Sequence, residues 1–195
     1  MLLPVVCPVC GVSGEAPCPP CRSALRTAPV LRPPRGLASC AALLAYDGAG
    51  RELVARLKYR NARASLPWLA AGMAALTAGW PVDVVTWVPT TVERRRRRGF
   101  DQGRLLAAAV ARHRRLPCRR LLRRLPGPPQ TGLSRRERLA GPVLVPAVRS
   151  SPGRVLLVDD VVTTGATLAT AAGALHRAGA SEVSAVVAAC RASPH

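Results

Sequence analysis

Aromatic side chains are almost missing from this chain of 195 residues, which holds three Trp, two Tyr and one Phe. Leu, Val and Ala must therefore fill the core, and a platform that stacks bases on rings is not expected. Acids are also scarce. Ten of them face 29 basic residues, for a formal charge of +19, and that imbalance makes a positive field that favours anionic partners. Lysine is reduced to Lys58 alone among 28 arginines, and no GxxxxGK[ST] occurs, which excludes a nucleotide P-loop. There is no GxSxG, and His113, His176 and His195 are too scattered to pair a base with a nucleophile. Long apolar runs are absent too. Leu66 to Val82 is uncharged but only 17 residues long, is mostly Ala and Gly, and has Pro67 and Pro81 near its ends. A buried helix is expected there rather than a membrane span. The start, MLLPVVCPVC, lacks the basic lead of a secretory signal.

Cysteine is present in an odd number, seven, and four of the seven fall in two CxxC pairs. Cys7-Pro-Val-Cys10 and Cys18-Pro-Pro-Cys21 are separated by seven residues. Each pair brings two thiolates within a zinc radius, and the two together complete a closed Cys₄ shell, which implies a structural Zn²⁺. That pattern also argues for a reducing compartment, hence a cytoplasmic location. Cys40, Cys118 and Cys190 are expected to be small buried residues. A zinc module over residues 1–34 and a second domain over residues 45–195 follow, joined across the Pro-rich Pro29–Gly36 segment.

Chemistry concentrates in Val155 to Leu168, VLLVDDVVTTGATL. The run of branched aliphatics suits a strand buried on both faces of a parallel sheet. Asp159 and Asp160 then fall at the carboxyl end of that strand, where ligands of open α/β sheets bind. Thr163, Thr164, Gly165 and Thr167 supply hydroxyls and backbone N–H groups just ahead of a helix over Thr167–Ala178, an arrangement that attracts phosphate. Acids for sugar hydroxyls or a metal beside a phosphate cradle describe a sugar-phosphate site. The stretch closely resembles the phosphoribosyl-pyrophosphate (PRPP) motif of type I phosphoribosyltransferases. The resemblance implies that the acids hold the ribose 2′ and 3′ hydroxyls and that the loop Thr163-Thr164-Gly165-Ala166-Thr167 holds the 5′-phosphate, with Val161 and Val162 also among the PRPP-binding residues.

Asp83 to Val88 reads as a second buried strand ending at Pro89-Thr90-Thr91, and Glu182 to Cys190 as a third. Gly103 to His113 is a helical candidate with Leu105, Leu106, Ala109 and Val110 on its apolar face. Between Arg94 and Arg138 stand sixteen arginines and two acids, Asp101 and Glu137. Three readings of this stretch stay open: a backbone-directed, salt-sensitive nucleic-acid face, a pyrophosphate site built on arginine forks, and a solvated surface inflated by coding bias. Lys58 is either a ligand residue or a snorkelling surface lysine.

Taken in order, the cysteine pairs, Leu57-Lys58-Tyr59, Val88-Pro89 with the Arg-Gly-Phe-x-Gln stretch ending at Gln102, Gln130-Thr131-Gly132-Leu133-Ser134 with Glu137-Arg138, and the PRPP motif resemble the ComF family of competence-associated proteins. The likeness implies a type I phosphoribosyltransferase-like α/β fold, a mostly parallel sheet flanked by helices and preceded by a small zinc-binding module. It further implies transfer from PRPP to an acceptor it does not identify, with Asp159 and Asp160 as the catalytic pair and Mg²⁺ accompanying PRPP. The turn Pro89-Thr90-Thr91 with nearby arginines such as Arg98 would face the pyrophosphate, Lys58 would be a further PRPP-binding residue, and Gln130 to Arg138 would close over the site. The competing expectation is an accessory protein that binds single-stranded DNA or DNA-uptake proteins. Two positions depart from the family, which usually has Asn where Asp101 and Gly141 stand.

Overall fold

The computed structural model describes residues 5–57, 64–125, 143–150 and 153–191. Lys58 and the Gln130–Arg138 segment, like Gly141, lie outside them. Four parallel strands form the central sheet in the order β1 (Ser39–Ala45), β6 (Glu182–Cys190), β5 (Arg154–Val162), β2 (Val84–Trp87). The inner strands are near-continuous runs of Val, Leu and Ala because helices cover both faces. On one face lie α2 (Gly48–Arg56), α3 (Leu66–Leu76) and α5 (Gln102–Arg114), packed against Leu156 and Val158. On the other lies α6 (Ala166–Arg177), together with an antiparallel pair, β3 (Leu122–Arg124) and β4 (Leu144–Pro146), packed against Val155 and Leu157. The architecture is α/β, with a mostly parallel sheet between helices.

The uncharged run from Leu66 is the 11-residue α3, too short to span a bilayer, and among the described residues no helix is long and apolar enough to cross a membrane. Both sheet edges are covered, which removes a template for aggregation. Residues 26–28 run antiparallel beside β1, with Ala28 N–H donating to Leu43 O and Ala45 N–H to Arg26 O. Beside β2, the Val85 N–H donates to Pro117 O and the Arg119 N–H to Val85 O. Cys118 sits in that edge segment and is exposed, so its expected burial is corrected; Cys190 is buried and Cys40 half-buried.

The amino-terminal segment folds around its cysteines. The Cys7 N–H donates to Val12 O and the Gly11 N–H to Cys7 O, which closes the first knuckle. The second carries Cys21 into the short α1 (Pro19–Ser23), with Cys18 at its N-cap.

Candidate functional site

Strand β2 stops at Trp87, paired with Val158, whereas β5 runs on through Val162 beside β6. Pro89, which has no N–H to donate, turns the chain away after the Val88 N–H reaches Val158 O. The sheet therefore loses a strand next to Asp159 and Asp160, and a crevice opens at that point. The two acids stand inside β5 rather than beyond its end, since pairing with β6 carries the strand past them. Side chains alternate along a strand, so the neighbours point to opposite faces. Asp160 follows Leu156 and Val158 toward α5, where Gln102 Nε2 donates to its Oδ2 at 3.3 Å. Asp159 follows Val155 and Leu157 toward the β3–β4 pair, from which Arg124 exerts its charge on it.

A cavity of about 220 Å³ occupies the crevice. Three carboxylates, Asp101, Asp159 and Asp160, line it together with three guanidinium groups, Arg94, Arg98 and Arg124. Burial, and then the Asp160 charge, push the Asp159 carboxyl well above the usual carboxylate range; the Asp160 N–H at 2.8 Å and Arg124 oppose this. Burial, and then the like charge of Arg94, lower the pKa of Arg124, with Asp159 acting the other way. Two guanidinium groups that repel one another across a cavity favour an anion between them. Arg124 gave no sequence signal. It is one arginine among many, and only the pairing of β3 with β4 brings it to the acids.

The five-arginine run forms α4 (Val92–Arg98), begun by Thr91, whose Oγ1 accepts from Arg94 N at 3.2 Å. Residues four apart share a helix face. Accordingly Arg94 and Arg98 line the cavity, whereas Arg95, Arg96 and Arg97 are exposed elsewhere on a helix with no buried residue.

Among the other expected site residues, Pro89, Thr90, Val161 and Thr167 line the cavity. Val162 is instead buried in the core under α6. Thr163 and Thr164 are exposed in the turn that follows, and Thr164 Oγ1 accepts from Ala166 N at 3.4 Å. Gly165 has φ +76, and a Cβ there would lie 2.7 Å from Pro34 Cγ, so the turn requires glycine on both counts. Thr164 takes the Ala166 N–H, but the cap residue of the 12-residue α6 is Gly165, which has no side chain to bond the others, so the next first-turn N–H groups are left for an anion.

The four amino-terminal thiols form a separate centre. Ligand atoms of Cys7, Cys10, Cys18 and Cys21 all lie within 4.8 Å of one another, compatible with the sulfur–sulfur edge of about 3.8 Å that a tetrahedral zinc requires. Burial opposes ionisation of Cys7, yet backbone N–H donors from Cys18, Cys10 and Val9 outweigh it and draw the thiol down to about 6. Burial, then hydrogen bonds with the other three thiols, push Cys21 up to about 12. Four thiolates so close together need a cation, and this donor set suits Zn²⁺.

Residues 146–194 match the phosphoribosyl transferase domain family. No curated protein sequence matches the chain. Among solved structures, similarity is found to the allosteric regulatory enzyme of purine biosynthesis, at 22% identity and a TM-score of 0.49 over 69% of this chain. It is also found to the glutamine phosphoribosylpyrophosphate amidotransferase from B. subtilis complexed with ADP and GMP, at 23% identity and 0.48 over 69%. This chain spans 30% of each of those proteins. The family match covers 49 of the 195 residues, at the carboxyl-terminal end.

Proposed function

We propose that the protein binds PRPP in the crevice beside Asp159 and Asp160 and transfers its phosphoribosyl group to an acceptor, as a protein of the ComF type. One observation carries the reading: an acid pair inside the central parallel strand β5, where the neighbouring β2 has already stopped, lies just ahead of the Thr163–Thr167 turn, within the segment that matches the phosphoribosyl transferase family. Asp159 and Asp160 accept hydrogen bonds from the ribose hydroxyls, while the turn and the first N–H groups of α6 take the 5′-phosphate. Arg94, Arg98 and Arg124, with the Pro89–Thr90 turn, stabilise the departing pyrophosphate as positive charge develops on the sugar. Lys58, outside the described residues, is read as a further PRPP-binding residue. The carboxylate oxygens are the hard donors that Mg²⁺ prefers, and the ion, accompanying PRPP, supplies further neutralisation of the leaving group. Pyrophosphate release from PRPP over a panel of candidate acceptors tests this; no release and no PRPP binding would refute it.

A second reading rests on Arg95, Arg96 and Arg97, exposed away from the cavity. Here the same fold is an accessory that binds single-stranded DNA or DNA-uptake proteins, with the PRPP site regulatory. In both readings residues 1–34 form a zinc module ahead of a domain over 45–195, in the reducing cytoplasm that free thiols favour.

A further inference from the structure

Asp101 stands where the resembling family usually carries Asn, which invites the view that a ligand contact has been lost. Its surroundings say otherwise. Oδ1 accepts from Arg104 N at 3.3 Å and so caps α5, while Oδ2 accepts from Trp87 Nε1 at 3.3 Å and from Thr90 N at 3.5 Å. One carboxylate therefore ties together the end of β2, the turn on the pyrophosphate side and the first turn of α5. The next residue, Gln102, donates to Asp160 at 3.3 Å, and its own Oε1 is buried without a protein partner. After it comes Gly103, where a Cβ would lie 3.0 Å from Val88 O, so the helix end is pressed onto the same turn.

We propose that Asp101 is a positioning residue: it locks the Thr90 turn to α5 and thereby sets the distance between that turn and Asp160, which the helix holds through Gln102. The inference rests on the reading of the crevice as a PRPP site. A carboxylate is needed because both of its oxygens accept. An Asn amide that capped Arg104 N would turn its NH₂ toward two donors, Trp87 Nε1–H and Thr90 N–H, and the flipped amide would lose the cap. The lost-contact view predicts that Asp101→Asn tightens PRPP binding; positioning predicts the reverse.

Asp101→Ser separates capping from positioning, because serine is a good N-cap but is too short to hold the other two donors as well. The expected result is a melting temperature close to wild type, with PRPP–Mg²⁺ affinity by calorimetry weakened roughly tenfold. Asp101→Asn should weaken affinity in the same direction. A ligand-free measurement accompanies these. The chain has three tryptophans, so indole N–H signals are few, and in Asp101→Ser the Trp87 signal should shift while exchange of the Thr90 amide accelerates. Equal or tighter PRPP binding by Asp101→Asn overturns the proposal, as do an unmoved Trp87 signal and unchanged Thr90 exchange. A wild-type protein that binds no PRPP refutes the PRPP site itself, and the proposal falls with it, whatever the Trp87 and Thr90 signals show.

Discussion

A carboxyl enclosed beside another carboxylate holds its proton more tightly in the folded chain than in the unfolded one, and Asp159 is such a group. At any pH above the unfolded value of about 3.9, ionising it works against the fold. Its cost is absent below that value and grows as pH rises through the interval up to the raised folded pKa. Asp159→Asn removes the cost, so the variant should melt above wild type at pH 7, and the two melting curves should converge near pH 4. The same change, combined with Asp160→Asn, should abolish PRPP–Mg²⁺ binding in a calorimetric titration, because two acceptors worth about 1.5–3 kcal/mol each are lost. Higher stability together with lost binding would mark Asp159 as a residue kept for its ligand at the expense of the fold. A lower melting temperature for Asp159→Asn at pH 7 would mean that the acid is structural. Gly165 is constrained from a different side. Placing Ala there puts a side chain at φ +76 against Pro34, so Gly165→Ala should cost about 1–2 kcal/mol in denaturant unfolding and displace the turn before α6.

Helix α4 shows how a run that looks uniform in sequence divides once it is wound. Arg94→Gln with Arg98→Gln should weaken PRPP or pyrophosphate binding at least tenfold and leave any DNA affinity nearly unchanged. Replacing Arg95, Arg96 and Arg97 by Gln should do the opposite, lowering the salt slope of DNA binding by roughly two to three while sparing PRPP. An unchanged slope would return those three to an ordinary solvated surface. The division was not legible beforehand, because it depends on a seven-residue helix that five arginines in a row do not advertise. Strands β2 and β6 were legible, being short apolar runs bounded by turn residues, and so were α5 and α6 to within a residue or so at each end; β5 was legible only to Val158, because pairing with β6 carries it on through the two acids to Val162. Strand β1 was not. Ser39–Ala45 is rich in Ala and Leu, which also suit a helix, and only pairing with β6 decides the matter. The β3–β4 pair escaped for a related reason: three residues to a strand leave no periodicity to read. The acids and the Thr-Thr-Gly turn could be found because their chemistry is local, whereas Arg124 and the bonds of Asp101 depend on long-range pairing.

The segment that links the cysteine centre to the sheet does more than join them. Residues 26–28 cover the free edge of β1, Pro34 lies on Gly165 in the turn before α6, and Gly36 O lies 2.9 Å from His176 Nε2 near the end of α6. The other ring nitrogen of His176 lies 3.0 Å from Ala180 O, so this one side chain sits between the linker and the loop after α6. Val9 and Leu25 pack on the α2–α3 face, while Ala28, Leu31 and Leu37 pack on the α6 face, so the amino-terminal chain grips the sheet from both sides. Loss of metal should therefore be felt at the Thr163–Ala166 turn. The purified protein is expected to hold about one zinc per chain, and Cys10→Ser should release it, because the remaining three thiols leave the shell open. Hydrogen exchange should then quicken first over the amino-terminal residues and next at Thr163–Ala166, where Pro34 no longer stays seated. Strands β5 and β6, buried at the centre of the sheet, should keep their protection. Full zinc occupancy in Cys10→Ser would refute the Cys₄ assignment. Zinc loss with unchanged exchange at Thr163–Ala166 would show that the turn holds its shape without the strap across it.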